Sequence, residues 1–341
     1  MEMAVQDDSV LLNRSYYHRD RALRQIAALG ATRLRVNVLW VASMPVSQQR
    51  AHHRPATVYW QWQRVDSLIA AAAAHHLRVQ LTLTGPAPAW ATGNRRRGVY
   101  RPRADYYADF VRTAVAHFRG RVDRYSIWNE PNHIGWLRPL RSGPSLYRKL
   151  YYAGYNAAKA SDPSAQVLIG ETSPYRDGRR ATAPIKFLRG VACVDSHWHR
   201  HCSTGLRADG YAHHPYEFLH SPRYHYPGAD NATFGTLGHL TKALDRLRRS
   251  GALTGPGGGK LDLYLTEYGY FGSGRRRISP HRRARYLREA VKLARRNPRV
   301  RELLQYQLVR PPRRYTTFDT SLLGLRGHLT PVYHALRRAI R

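Results

Sequence analysis

The sequence predicts an α/β fold, a single closed (β/α)8 TIM barrel spanning residues 1–341 as one domain. Three observations predict it. Strand-like apolar runs recur eight times, each followed by a helical stretch or by a connection that carries one. Helices between successive strands imply parallel pairing, because parallel neighbours need crossovers. The first strand is followed by Asp7-Asp8-Ser9-Val10, without the Gly-rich turn through which an open doubly wound sheet binds its ligand. Eight units of about 43 residues fill the 341-residue chain, a length suited to a one-domain barrel.

Residues 3–5 open the series. The first helix takes Asp20 as its N-cap and Gly30 as its stop. Residues 32–40, Thr-Arg-Leu-Arg-Val-Asn-Val-Leu-Trp, alternate with period two and form the second strand. A helix at 62–76 leads to a strand at 77–84, and a helix at 104–118 to a strand at 122–128. Helix 145–160 precedes strand 165–170, and helix 184–191 with a Cys-flanked loop precedes strand 209–213. Helix 234–249 leads to strand 261–266, helix 281–296 to strand 300–307, and a last helix closes the chain near 331–340. Gly255-Pro-Gly-Gly-Gly-Lys260 is a connector and no phosphate loop, since it follows a helix, opens a strand and lacks Ser or Thr after the Lys.

Composition narrows the function classes. With 43% hydrophobic residues the chain has the apolar content of a globular protein. Two cysteines rule out a disulfide-framework miniprotein. The longest apolar run, 68–74, stops at His75-His76, well short of the ~18 residues that cross a bilayer, so no membrane insertion is expected. Lys and Arg number 56 against 22 acids, a net charge of +34, and almost all of it is arginine in short runs such as 95–97, 275–277 and 313–314. Arginine scattered in this way reads first as solvated surface from a GC-rich coding sequence. An acidic partner is the second reading, and with no concentrated basic stripe or known motif no nucleic acid is expected.

Cys193 and Cys202 enclose a short polar loop. A stapling disulfide, implying an oxidising compartment, is the first reading and two free thiols the second. A metal site with His197, His199 and His201 is the third, because the spacing fits no standard zinc pattern. The chain begins without a basic-then-apolar leader, so it is expected to be cytoplasmic or to be a secreted protein shown without its signal peptide.

The chemistry is expected at the carboxyl ends of the strands. Glu130, in Trp128-Asn129-Glu130-Pro131-Asn132, stands directly after strand four; Glu267, in Thr266-Glu267-Tyr268-Gly269, directly after strand seven. A carboxylate ending an apolar strand is costly to desolvate without a partner or a purpose. Two of them facing each other across a barrel mouth are the equipment for cleaving a glycosidic bond. Glu171 and Glu217 also lie near strand ends and are weaker candidates for binding a substrate hydroxyl. Glu302 opens a strand at the other rim and reads as structural.

At these residues the chain resembles the large clan of retaining (β/α)8 glycoside hydrolases, with families thirty-nine and five, as found in actinobacterial secreted proteins, the most similar. The resemblance implies Glu130 as acid/base and Glu267 as nucleophile, acting on a carbohydrate with retention and without cofactor or metal. It implies that Asn129 bonds the sugar 2-hydroxyl and that Arg35 lies beneath the nucleophile and keeps it ionised. His214 and Tyr216 match a His-x-Tyr element lining the sugar site. Trp40, Trp90 and Trp136, on the loops after strands two to four, are expected to stack on sugar rings. The strand-eight Trp of the clan is absent, so Tyr306, Gln307 or Arg310 must stand in; an arginine there would favour an anionic sugar. Phe318 stands in the closing loop where Trp is common.

The sequence is therefore read as a secreted, monomeric, retaining glycosidase of β-type action. Transglycosylation by the same residues and a non-catalytic binder of acidic polysaccharide on the same barrel are the alternatives.

Overall fold

Alternation in the second strand decides what each of its faces meets. Leu34, Val36 and Val38 join the large apolar core between strands and helices, whereas Arg33 and Arg35 are fully buried and bond residues of other strands across the barrel. The computed structural model describes all 341 residues. Its eight barrel strands are β1 (Glu2–Gln6), β2 (Arg33–Leu39), β3 (Arg78–Thr84), β4 (Arg124–Ile127), β5 (Gln166–Thr172), β6 (Gly210–His213), β7 (Leu263–Tyr268) and β8 (Val300–Tyr306). All pair in parallel, and β1 lies between β2 and β8, which closes the barrel.

Eight helices follow the strands in turn: α1 (Arg19–Leu29), α2 (Gln63–Ala73), α3 (Ala104–Phe118), α4 (Gly143–Ser161), α5 (Pro184–Val191), α6 (Leu237–Arg249), α7 (Pro280–Arg296) and α8 (Pro331–Ile340). Each turns an apolar stripe inward; on α3 it is Tyr107, Phe110, Val111, Ala114, Val115 and Phe118. Gly30 ends α1 in the left-handed conformation with φ 99°, as expected of a glycine stop. The N-cap of α1 is His18 and not Asp20; Asp20 sits inside the first turn, where its carboxylate meets Arg24 and His75.

The barrel interior is layered. At its amino end an ionic layer joins Arg33 to Glu2 (3.1 Å) and Asp123, and Arg124 to Glu2 and Glu302 (2.7 Å each). Glu302 is thus structural. Above it a small apolar plug of Leu168, Ala212 and Tyr264 fills the middle. Gly210 makes that plug possible, since a Cβ there would lie 2.3 Å from the Tyr264 ring. The third layer, at the carboxyl end, holds the candidate site. Outside the barrel Cys193 and Cys202 are joined in a disulfide, so neither thiol is free to bind a metal. No helix is long and apolar enough to cross a membrane.

Candidate active site

Arg35, midway along β2, organises the upper layer. Its Nη1 donates to Glu267 Oε1 at 2.7 Å and to Gln6 Oε1; its Nη2 donates to Asn129 Oδ1 at 2.7 Å and to Glu171 Oε2 at 3.1 Å. One buried guanidinium therefore ties the ends of β1, β5 and β7 and the turn after β4 into a rigid unit. Burial pulls its pKa down, and the charges of Glu171, Glu267 and Asp8 overcome that and raise it. It is a permanent cation.

His214, just past β6, makes the second junction. Its Nδ1 lies 3.0 Å from Glu130 Oε1 and its Nε2 2.8 Å from Glu171 Oε2, with Glu267 Oε2 at 3.7 Å from Nδ1. Carboxylates on both ring nitrogens call for an N–H on each, which is the imidazolium. Burial alone lowers the His214 pKa, but the charge of Glu267 and the hydrogen bonds to Glu130 and Glu171 win and raise it to about 9. Glu130 shows the reciprocal effect: burial raises its pKa, the bond and charge of His214 lower it more, and it ends below the usual carboxylate value. Glu171 is held at about 2, with burial outweighed by Arg35 and His214.

Glu130 and Glu267 differ from their partners in access. Their side chains are 19% and 11% exposed, while Arg35, His214 and Glu171 are fully buried. Only these two carboxylates of the cluster can meet a ligand. Their oxygens, with a ring nitrogen of His214, lie within 4.8 Å of one another. The three also have metal-ligand spacing, yet both nitrogens of His214 are occupied by carboxylates, so no lone pair is left for a cation. The free oxygen of Glu267, Oε2, accepts the Tyr216 hydroxyl at 3.1 Å.

The backbone is bent to present these groups. Trp128, Glu130, Glu171 and Gln307, all at strand ends, have φ of 70°, 36°, 48° and 61°, values that cost a non-glycine residue ~1–3 kcal/mol each. The turn after β4 is fastened by Glu130 N to Glu171 O and by Trp128 Nε1 to Trp136 O, both 2.9 Å.

A cavity of about 690 Å³ opens over β1 and β2 beside these residues, lined among others by Asp8, Asn37, Gln61, Arg64, Trp136 and Tyr306. Trp136 and Tyr306 thus line a cavity as the sequence suggests. Trp40 does not: it is fully buried, stacked on Phe110 at 5.8 Å with Trp90 at its edge. Trp90 is 6% exposed and its Nε1 is bonded to Gln48 O, so it packs the loop after β3. Both expectations of sugar stacking are corrected, because the rings that look like rim residues in sequence fold back onto α3.

Glu171 and Glu217 are not hydroxyl binders. Glu171 is the buried counter-ion of Arg35 and His214, and Glu217 accepts the amides of Leu219 and His220 at 3.1 Å each. Arg310 turns to Asp319 at 3.5 Å and Gln307 caps Thr320 N, which leaves Tyr306 at the strand-eight position. Phe318 packs its ring against Tyr306 and Tyr216, 5.6 and 5.9 Å away.

Three participants escaped the sequence reading. Gln6 joins Arg35 to Asp8, donating to Asp8 Oδ2 at 2.8 Å. Asp8 is pushed up to about 6, by burial first, against the Gln6 bond and the Arg35 charge. Phe218 stacks on Tyr216 at 4.8 Å. The polar pair ending β1 was the available signal for the first two; nothing local marks Phe218.

No protein-family model matches the sequence, and no curated protein matches it. Solved structures share the fold. A family 39 glycoside hydrolase from the gut symbiont Bacteroides cellulosilyticus WH2 superposes with a TM-score of 0.70 at 17% identity, over 99% of this chain and 63% of that one. A monomeric beta-xylosidase from Caulobacter crescentus CB15 gives 0.63 at 18%, covering 99% and 67%. GH5_18 from Streptomyces cattleya in complex with GlcNAc gives 0.66 at 18%, covering 100% and 79%. The chain therefore spans about two thirds of the length of the first two.

Proposed function

We propose that this chain is a retaining glycoside hydrolase that cleaves β-linked sugars by double displacement. One observation carries the reading: Glu130 and Glu267, both reachable by a ligand, bring carboxylate oxygens within 4.8 Å of each other across the mouth of the barrel. Retaining pairs stand about 5–5.5 Å apart, and inverting pairs about 6.5–9.5 Å to admit a water.

Glu267 is the nucleophile. Arg35 and Tyr216 each take one lone pair of its two oxygens, which fixes the carboxylate plane. As Glu267 bonds to the anomeric carbon, the bond to the leaving oxygen breaks and that oxygen takes a proton from Glu130. The proton is stored on the Glu130–His214 pair, which shares it across 3.0 Å. In the second step Glu130 removes a proton from water, and the hydroxide displaces Glu267 from the sugar. An acceptor hydroxyl in place of water gives transglycosylation. Asn129, fixed by Arg35, is in place for the 2-hydroxyl.

The cavity wall combines eight aliphatic residues with five side-chain amides, Ser43, Trp136 and Tyr306, and carries one charge of each sign, Asp8 and Arg64. That chemistry suits an uncharged sugar ring there. The Cys193–Cys202 bridge supports a secreted protein. The test is a screen of aryl β-glycosides and of plant and bacterial polysaccharides with Glu130→Gln and Glu267→Gln beside the parent chain. Turnover that falls by ~10²–10⁴-fold in Glu130→Gln, and at least as far in Glu267→Gln, is expected. Absence of turnover on every substrate, with polymer binding equal in all three proteins, would sink the hydrolase.

A further inference from the structure

We infer that a basic groove next to the active-site cavity binds an anionic segment of a glycan chain. The inference rests on the hydrolase reading, and it names the class of substrate. The groove, of about 740 Å³, lies between the loop after β1, the start of α1, α2 and the loop before α8. Arg14, Arg19, Arg21 and Arg326 line it together with Tyr16 and Tyr17.

Its charges are unbalanced. Arg14 and Arg19 converge on a single hydroxyl, Ser67 Oγ, at 3.3 and 2.7 Å, with no carboxylate between them. Like charges held this close repel unless an anion sits between or beside them. The Arg19 guanidinium accordingly titrates low, from burial first and from the charge of Arg14 second. The one acid of the groove, Asp20, is already engaged by Arg24 and His75. Inside the barrel, by contrast, the guanidiniums of Arg33, Arg35 and Arg124 each meet carboxylates.

Position selects the ligand. Leu12 and Asn13 line the cavity and Arg14, the next residue, lines the groove, which sets the two side by side on the loop after β1. The tyrosine rings offer flat faces to sugar C–H groups, and Arg21 lies over Tyr17 at 5.6 Å. An extended glycan with carboxylate or sulfate groups matches both features, with an uncharged ring at the reacting position and acidic ones beyond it.

The experiment measures binding of polygalacturonate to the full chain at low salt by titration calorimetry. A groove variant (Arg14→Gln, Arg19→Gln and Arg326→Gln together) is set against a charge-matched variant of the outer face of α7 (Arg282→Gln, Arg285→Gln and Arg288→Gln). Affinity is expected to fall about tenfold in the groove variant and to stay within twofold in the α7 variant. Arg326→Gln alone, on an exposed loop, gives the same direction if the triple variant does not fold. Equal falls in both triple variants would mean that the net charge attracts the polymer, and would overturn the groove. A fall confined to single-stranded DNA would hand it to nucleic acid and overturn it too. Binding is read without turnover. A chain that hydrolyses aryl glycosides but binds polygalacturonate equally in all variants loses the groove and keeps the hydrolase; the converse result loses the hydrolase and keeps the groove.

Discussion

His214 is the residue on which the proton inventory of the site turns. It is the main reason Glu130 titrates low, and Glu267 is the main reason His214 titrates high. The pair therefore keeps its proton until the pH passes about 9. Replacing His214 by Asn removes both the store and the charge, and leaves Glu130 under the burial that raises it. The alkaline limb of the kcat/KM profile, set near pH 9 by the pair in the parent chain, is expected to move acidward in His214→Asn. An unmoved limb would take His214 out of the proton path. Substrates with good leaving groups, which need little acid help, should lose less kcat in this variant than poor ones. Arg35 answers a different need. Replacing it by Met would strand Glu171 and Glu267 in the interior, at a cost of ~3–5 kcal/mol in urea unfolding, with the larger part from Glu171, which cannot reach water.

At the scale of elements, the end of β1 holds the barrel seam. Asp7 caps the short turn Asp8–Leu11 through Val10 N and accepts Leu308 N and Val309 N, 3.1 Å each, from the stretch after β8. Burial pushes Asp7 up to about 7 against these bonds, and Asp8 rises to about 6. A raised carboxyl favours the folded state while protonated, so this contribution is full below pH ~4 and is lost as the pH rises toward 6 and 7. Glu171 acts in the opposite sense, and its contribution is lost only as the pH falls through about 2. Asp7→Ala leaves two buried amides, Leu308 N and Val309 N, without an acceptor and is expected to cost ~2–4 kcal/mol in urea unfolding. A loss under half a kcal/mol would mean that water replaces the carboxylate. Period-two alternation and the glycine stop at Gly30 made β2 and α1 legible in the sequence, because both are set by residues a few places apart. The cap of α1 was misassigned for the same reason: Asp20 has the right chemistry, but its partners, Arg24 and His75, are chosen by packing.

Over the whole molecule, 56 basic residues face 22 acids, and the ion pairs inside the barrel use several of those few acids. The surface is left with a strong excess of positive charge that repels itself. Raising the salt from low millimolar to about 0.15 M, where the Debye length is about 8 Å, should raise the melting temperature. A melting temperature that falls with salt would mean that surface ion pairs outweigh the repulsion.

Local pattern was enough for the barrel and for the pair Glu130 and Glu267, since strand alternation, crossover helices and carboxylates near the ends of apolar runs are properties of short stretches. It was not enough for the strand ends, because β5 and β7 run two residues further than their apolar runs and take Glu171 and Glu267 into the strands. The sequence also contained Arg35, His214 and Tyr216, and the structure brings all three to one cluster with Asn129. Packing across the closed barrel settles that Trp40 and Trp90 turn inward, that Glu171 is a buried counter-ion, and that Gln6 and Asp8 join the site. Those outcomes depend on which side chains from strands far apart in the chain meet across a closed barrel, and on how burial shifts charge among them. Neither quantity is carried by any local pattern.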